Sequence, residues 1–262
     1  MGGALLTGLL AGTPAAVAFR ILDKDSGRAR ALADASGDRV QSVADPAELT
    51  DACDPIIVSV KPQDMDTLVR DLSASLRDGQ TVVSTAAGVT LQHLRAELGP
   101  GPRVFRIMPN LAVAIQEGAV ALAPEEGADD PSVEDVRTLF SCLGTVEVLA
   151  EKYFDVVTAV AGSGPGFLAV VVEGLEDGAV RSGLPRDVAR AFVRQTTLGT
   201  ARLLMGSTES AAELKDRVSS PGGTTIAGLA VLEDRGVRGA LVRAVEEATE
   251  RGKQLRAEAR RG

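Results

Sequence analysis

Tryptophan is absent, tyrosine and histidine occur once each, and all aromatics make up 3% of the 262 residues. A chain so poor in flat side chains lacks the stacking platform that single-stranded nucleic acid requires. Positive charge is also short: 28 Lys and Arg stand against 36 Asp and Glu, a net charge of −8, which disfavours a polyanionic partner. The local exception is a basic run near the end (Arg251, Lys253, Arg256, Arg260, Arg261). With Glu247, Glu250 and Glu258 interleaved, it reads as the solvated face of a last helix. Cysteine is scarce too. Cys53 and Cys142 have no metal-ligand spacing and sit in apolar surroundings, so they read as buried reduced thiols, and no metal site is expected. No run reaches the ~18 uninterrupted apolar residues of a membrane span. Met1–Leu10 has neither a basic stretch nor a cleavage site, so a cytoplasmic protein is expected.

What the chain does have is small aliphatic residues: hydrophobic residues make up 45%, dominated by Ala, Val and Leu, and there are 28 glycines. Such a core suits closely packed helices and buried parallel strands. Up to about Ala150 two rhythms alternate. Val17–Leu22, Pro55–Val60, Gln80–Ser84, Arg103–Met108 and Thr145–Leu149 read as strands. Between them Ser26–Ala35, Asp64–Ser75, Thr90–Leu98 and Pro131–Cys142 read as helices, giving a doubly wound α/β domain around a parallel sheet. From Glu151 the strand signal fades. Asp155–Val160, Pro165–Arg181, Pro185–Met205, Ala211–Val218, Thr225–Glu233 and Val237–Ala257 read as helices. Leu168–Val172 is wholly aliphatic, and Val188–Val193 is broken only by Arg190. Helices apolar most of the way round need cover from outside, so a bundle completed by a partner subunit is expected.

A dinucleotide-binding α/β domain opens with a strand, a G-x-G-x-x-G turn and a helix whose start faces the pyrophosphate. Met1-Gly2-Gly3-Ala4-Leu5-Leu6 reads as the end of that turn running into the helix, with Gly2 as the last glycine of the fingerprint. Without the first strand, two edges with unpaired backbone groups should flank a gap. The preferred explanation is a start codon placed about ten residues late; the alternative is a real truncation that binds cofactor poorly. After the second strand, Asp23 favours NAD, whereas Lys24 and Arg28 favour NADP, so the cofactor preference stays open.

Three further segments fall at strand ends, where open α/β sheets bind their ligands. They are Ser59-Val60-Lys61-Pro62, Ser84-Thr85-Ala86-Ala87-Gly88-Val89-Thr90 and Arg106-Ile107-Met108-Pro109-Asn110. In the helical half, Val218-Ser219-Ser220-Pro221-Gly222-Gly223-Thr224-Thr225 breaks one helix and starts another. Such a break is either a ready carboxylate site, through free N–H groups and the helix dipole, or an ordinary capped turn.

The string Lys215-Asp216-x-Val218-Ser219-Ser220-Pro221-Gly222-Gly223-Thr224-Thr225, followed by Leu229-x-x-Leu232-Glu233, resembles the signature of the pyrroline-5-carboxylate reductase family. The family's Val-Lys-Pro, Ala-Ala-Gly-Val-Thr, Arg-x-Met-Pro-Asn and Gly-Ser-Gly-Pro segments also occur here in order, at Val60, Ala86, Arg106 and Gly162. The resemblance implies a Rossmann-like domain over residues 1–150 and an all-helical dimerisation and substrate-binding domain over 151–262, with the substrate lying between the cofactor and the partner chain's helical domain. It implies hydride transfer from NADPH or NADH to the C=N bond of 1-pyrroline-5-carboxylate, giving L-proline. The cofactor would be contacted by Gly2, Ser59, Val60, Lys61, Pro62, Thr85, Ala86, Ala87 and Asn110. The Thr225 hydroxyl would meet the pyrroline nitrogen, Gly223 and Thr224 would offer N–H groups to the carboxylate, and Val218, Ser219 and Glu151 would complete the pocket. Asp216 and Arg217 would border the cofactor.

Three positions depart from the family's pattern. Leu111-Ala112 stands where Thr-Pro is common, no Asn stands near Asp45-Pro46, and Gly166-Phe167 replaces Ala-Tyr or Ala-Phe. The rival readings are another β-hydroxyacid dehydrogenase or imine reductase, against which the Ser219–Thr225 loop argues, and a truncated non-catalytic dimeric relative.

Overall fold

In the computed structural model, which describes residues 1–259, the chain divides into two compact units. One holds Met1–Gly162 together with the chain from Ala248 onward, and the other is Ser163–Glu247. Arg260 and Arg261 of the basic run lie outside the described residues.

The first unit opens directly with a helix, α1 (Gly2–Gly12). There follow β1 (Phe19–Ile21), α2 (Ser26–Ser36), β2 (Val40–Ser42), α3 (Pro46–Ala52), β3 (Ile56–Val58), α4 (Pro62–Ser73), β4 (Thr81–Ser84), α5 (Leu91–Leu98) and β5 (Arg103–Met108). A 3-10 turn (Leu111–Ile115), β6 (Gly118–Pro124), α6 (Asp130–Ser141) and β7 (Gly144–Val148) complete the α/β part, and α7 (Phe154–Val157) begins the helical stretch. Many helices start where the sequence supplies a cap: Asp25, Asp45, Thr90 and Asp129 accept backbone N–H bonds at the first turns of α2, α3, α5 and α6.

The strands form two sheets, β1-β2 and β3-β4-β5-β6-β7, with no ladder joining β1 to β3 among the described residues. Each of those two strands is thus an edge, as the reading of the opening residues expects. The larger sheet is parallel except that β6 runs antiparallel to β5, so the wholly parallel expectation is corrected. Gln116, with φ 62°, sits in the turn that precedes this reversed strand.

Side chains alternate across the sheet with period two. Ile56, Val58, Val82, Val104 and Met108 pack under α4 and α5. Val83, Phe105 and Ile107 pack with Leu5 and Leu9 of α1 and with Val136 and Phe140 of α6 on the opposite face. Gly8 lets α1 lie against the 3-10 turn, because a Cβ there would stand 2.1 Å from the Val113 carbonyl oxygen.

The second unit contains α8 (Gly164–Arg181), α9 (Arg186–Met205), α10 (Ala211–Arg217), α11 (Thr224–Asp234) and the first part of α12 (Val237–Ala259). It has almost no core of its own: Glu176, Ala189 and Leu214 are its buried residues. Leu168, Val170 and Phe192 are each more than 60% exposed. The helical stretch Glu151–Arg181 is long and apolar enough to cross a membrane, with a mean hydropathy of 1.6 over its most apolar window. Glu173 interrupts it, so it contains no unbroken apolar run of membrane-spanning length.

Two smaller expectations are also corrected. Cys53 and Cys142 are free thiols but half-buried rather than buried, and partial burial pushes both thiols up. Arg256 does not sit on a solvated face; it binds Asp155 at 2.7 Å and its side chain is 29% exposed.

Candidate active site

The strand-end residues singled out in the first unit converge at one end of the sheet. α1 begins at Gly2 with no side-chain cap and no acidic residue in its first turn, so its first N–H groups are free for an anion. A Cβ added at Gly2 would lie 3.5 Å from Ser59 Cβ and Oγ, which places the helix start beside the end of β3. The Thr85 hydroxyl donates to Ser59 Oγ at 3.1 Å, and the Thr85 N–H to the Val58 carbonyl at 2.9 Å, tying the β3 and β4 ends together. Ala86 is buried and Ala87 exposed, while Val60 packs on the core and Lys61 caps α4, which Pro62 opens. Asn110 follows the end of β5, its Oδ1 accepting the Ala119 N–H at 3.3 Å. Small side chains around an uncapped helix start, with Lys61 as the one cation named among them, fit a dinucleotide pyrophosphate, and these residues would hold a nicotinamide dinucleotide.

Behind these loops lies an arrangement that the sequence does not announce. Arg106 is 2% exposed on the α4–α5 face of β5. It donates from Nη1 to Glu151 Oε1 at 2.8 Å and from Nη2 to the Ala86 carbonyl at 3.3 Å, and its guanidinium lies 4.9 Å from the centre of the Phe154 ring. Glu151 Oε1 also accepts the Leu91 N–H at 2.8 Å, at the first residue of α5. The loop from Ser84 to Thr90 is thereby fixed from behind at both ends. Burial pushes the Arg106 guanidinium down from its ordinary value, and Glu151 opposes that shift. Glu151, expected to face the substrate, spends this oxygen on Arg106 and α5. Nothing in sequence spacing signals a contact 45 residues apart.

In the second unit, the residues expected to hold substrate share one turn. Val218 caps the end of α10, and the Ser219 hydroxyl donates to the Lys215 carbonyl at 2.6 Å. Gly222 has φ 67°, and Gly223 is the N-cap of α11 with no side-chain cap bond and no acid in the first turn. The left-handed φ of Gly222 favours glycine in this turn, whereas a Cβ at Gly223 would meet Ser220 Oγ at 2.2 Å, which rotation of that hydroxyl relieves. Thr224 and Thr225 are the first two residues of α11, the former exposed and the latter half-buried. α10 shows the contrast: its start is closed by a Ser210–Glu213 capping box. Asp216 and Arg217, expected near the cofactor, are paired within this unit, Asp216 with Lys215 at 2.5 Å and Arg217 with both oxygens of Glu209 at 2.8 Å.

His93 is half-buried and binds Asp66 at 2.7 Å, joining α5 to α4. Among the described residues no group of His, Cys, Asp and Glu could hold a metal ion.

Residues 151–255 match the family model described as pyrroline-5-carboxylate reductase dimerisation, and residues 1–88 match that of NADP oxidoreductase, coenzyme F420-dependent. The chain is 37% identical to the pyrroline-5-carboxylate reductase of Synechocystis over 217 residues, 83% of this chain and 80% of the relative. It is 34% identical to that of Escherichia coli over 256 residues, 97% of this chain and 94% of the relative. The crystal structure of Plasmodium falciparum pyrroline carboxylate reductase with NADP bound superposes with a TM-score of 0.82 at 25% identity, covering 97% of this chain and 94% of that one. Rossmann-like sheet, helical dimerisation region and 34% identity over nearly the full length agree: the chain belongs to the pyrroline-5-carboxylate reductase family.

Proposed function

We propose that this chain reduces 1-pyrroline-5-carboxylate to L-proline with NADPH or NADH. The observation that carries the reading is the open start of α11, which follows a Gly222-Gly223 turn and is closed by neither a cap nor an acid. Its free N–H groups and helix dipole hold the substrate carboxylate, with Gly223 and Thr224 as donors and Val218 and Ser219 flanking. The Thr225 hydroxyl meets the ring nitrogen and keeps its proton in place. A bound nicotinamide supplies hydride to the C=N carbon, and the protein's part is orientation and charge. A protonated imine accepts hydride without a strong base, which suits a chain whose one histidine, His93, lies outside the proposed site and is engaged with Asp66.

In the cofactor half, Gly2, Ser59, Val60, Lys61, Pro62, Thr85, Ala86, Ala87 and Asn110 are proposed to contact the dinucleotide, and Glu151 to serve the site through Arg106 and α5. The exposed aliphatic faces of α8 and α9 support a homodimer or a larger ring built on it. Two unpaired thiols suit the cytoplasm.

The test of the residue assignment is Thr225→Ala. Loss of a hydrogen bond worth about 1.5–3 kcal/mol should lower kcat/KM for the pyrroline by roughly one to two powers of ten, and Thr225→Ser should keep most of it. Unchanged turnover in Thr225→Ala would remove Thr225 from the nitrogen.

A further inference from the structure

On the cofactor reading above, the turn after β1 is where the choice between NADH and NADPH is open. In open α/β sheets the adenosine ribose lies at the end of this strand. A carboxylate there accepts the ribose hydroxyls, and a free cation there accepts a 2′-phosphate. Both residue types are present here, so sequence alone leaves the preference open; the bonds they make decide it.

The Asp23 carboxylate stands just past β1, held by the Asp25 N–H at 3.0 Å. One hydrogen bond to Oδ1 leaves a carboxylate with ample acceptor capacity for a ribose diol. Of the three nearby cations, Lys24 is the one held in a close ion pair. Lys24 Nζ binds both oxygens of Asp64, at 2.7 and 2.8 Å, across from the first turn of α4. Arg28 Nε lies 4.0 Å from Asp23 Oδ2, and Arg30 Nε donates back to the Ser26 carbonyl at 3.2 Å. The start of α2, the other place for a phosphate, is already filled by the Asp25 carboxylate, which accepts the Arg28 N–H at 3.1 Å. By formal charge, Asp23, Asp25 and Asp64 equal Lys24, Arg28 and Arg30, so these six residues carry no net positive charge.

We propose that Asp64, by holding Lys24, makes this chain prefer NADH over NADPH. The Lys24–Asp64 pair is largely exposed, with 76% of the Lys24 side chain open to solvent, so it adds little to stability. Selectivity depends on something else: a dianionic 2′-phosphate must either displace Asp64 or sit beside it, whereas a ribose diol meets neither cost.

Equilibrium titration of the protein with NADH and with NADPH, without the pyrroline, tests this. NADH should bind about tenfold more tightly, ~1.4 kcal/mol. Asp64→Asn should shift the ratio of the two dissociation constants toward NADPH by several-fold, and Lys24→Ala added to it should abolish that shift. Tighter NADPH binding by the unsubstituted chain, or a ratio indifferent to Asp64→Asn, overturns the proposal and leaves the cofactor reading intact. Binding of neither dinucleotide overturns both.

Discussion

The Arg106 guanidinium and the Glu151 carboxylate meet at 2.8 Å, joining the central strand β5 to the first turn of the helical stretch, and the same Glu151 oxygen holds the start of α5. Arg106 is almost wholly buried, so its charge depends on this partner. Glu151→Ala removes the carboxylate bonded to the buried cation, leaving only the through-space attraction of Asp155, and should cost about 3 kcal/mol of stability, read as a lower urea midpoint. Because the Ser84–Thr90 loop also loses its support, the KM for the dinucleotide should rise more than the KM for the pyrroline. An unchanged urea midpoint would show that Arg106 needs no countercharge.

Gly8 tests the packing of α1. A Cβ 2.1 Å from the Val113 oxygen and 2.7 Å from the Leu143 side chain cannot be absorbed without moving α1 or the 3-10 turn. Gly8→Ala should destabilise by about 1–3 kcal/mol despite alanine's better helix propensity. Gly3→Ala, with nothing within 4 Å, should be neutral or slightly stabilising in the same thermal melts. Equal effects of the two would contradict the close contact.

The helical unit should associate through its exposed aliphatic faces. Val170 and Phe192 are 69% and 67% exposed in the single chain. Covering a side chain of this size contributes about 1.5–3 kcal/mol, so Val170→Asp should shift the sedimentation profile toward monomer at micromolar concentration. An unsubstituted chain that sediments as a monomer would refute the association.

Acid should loosen α10 first through its cap. The Ser210 backbone N–H and hydroxyl hold the Glu213 carboxyl below its ordinary value. A depressed folded value means that the carboxylate stabilises the fold above the unfolded value, about pH 4.3, and that this contribution fades as pH falls through the lower folded value. Glu213→Gln should therefore flatten the acid limb of the stability profile while shifting the neutral plateau only slightly. An acid limb identical to that of the unsubstituted chain would show that Glu213 plays no part in it.

Much of the fold is legible in the residues, and the exceptions have physical reasons. β5 matches its expected span because Val104, Phe105 and Ile107 are bulky or β-branched; β6, Gly-Ala-Val-Ala-Leu-Ala-Pro, has little β-propensity of its own and is a strand because β5 and β7 pair with it. β2, Val-Gln-Ser, holds one strand-favouring residue where β3 of the same length is Ile-Ile-Val, and the seven-residue α3 is too short for a helical period although Asp45-Pro46 is a cap followed by a proline start. The α11 turn could be read because its glycines and threonines are consecutive. The pairs Arg106–Glu151 and Lys24–Asp64 could not be read, since each joins elements through space across at least 40 residues.

The most direct measurement is the oxidation of NADH and NADPH by the purified protein on addition of 1-pyrroline-5-carboxylate, with L-proline quantified at the end. Membership of the reductase family and the open α11 start predict dinucleotide oxidation that depends on the pyrroline, with one L-proline formed per dinucleotide consumed. No pyrroline-dependent oxidation with either dinucleotide, by protein shown to be folded and associated, would contradict the account.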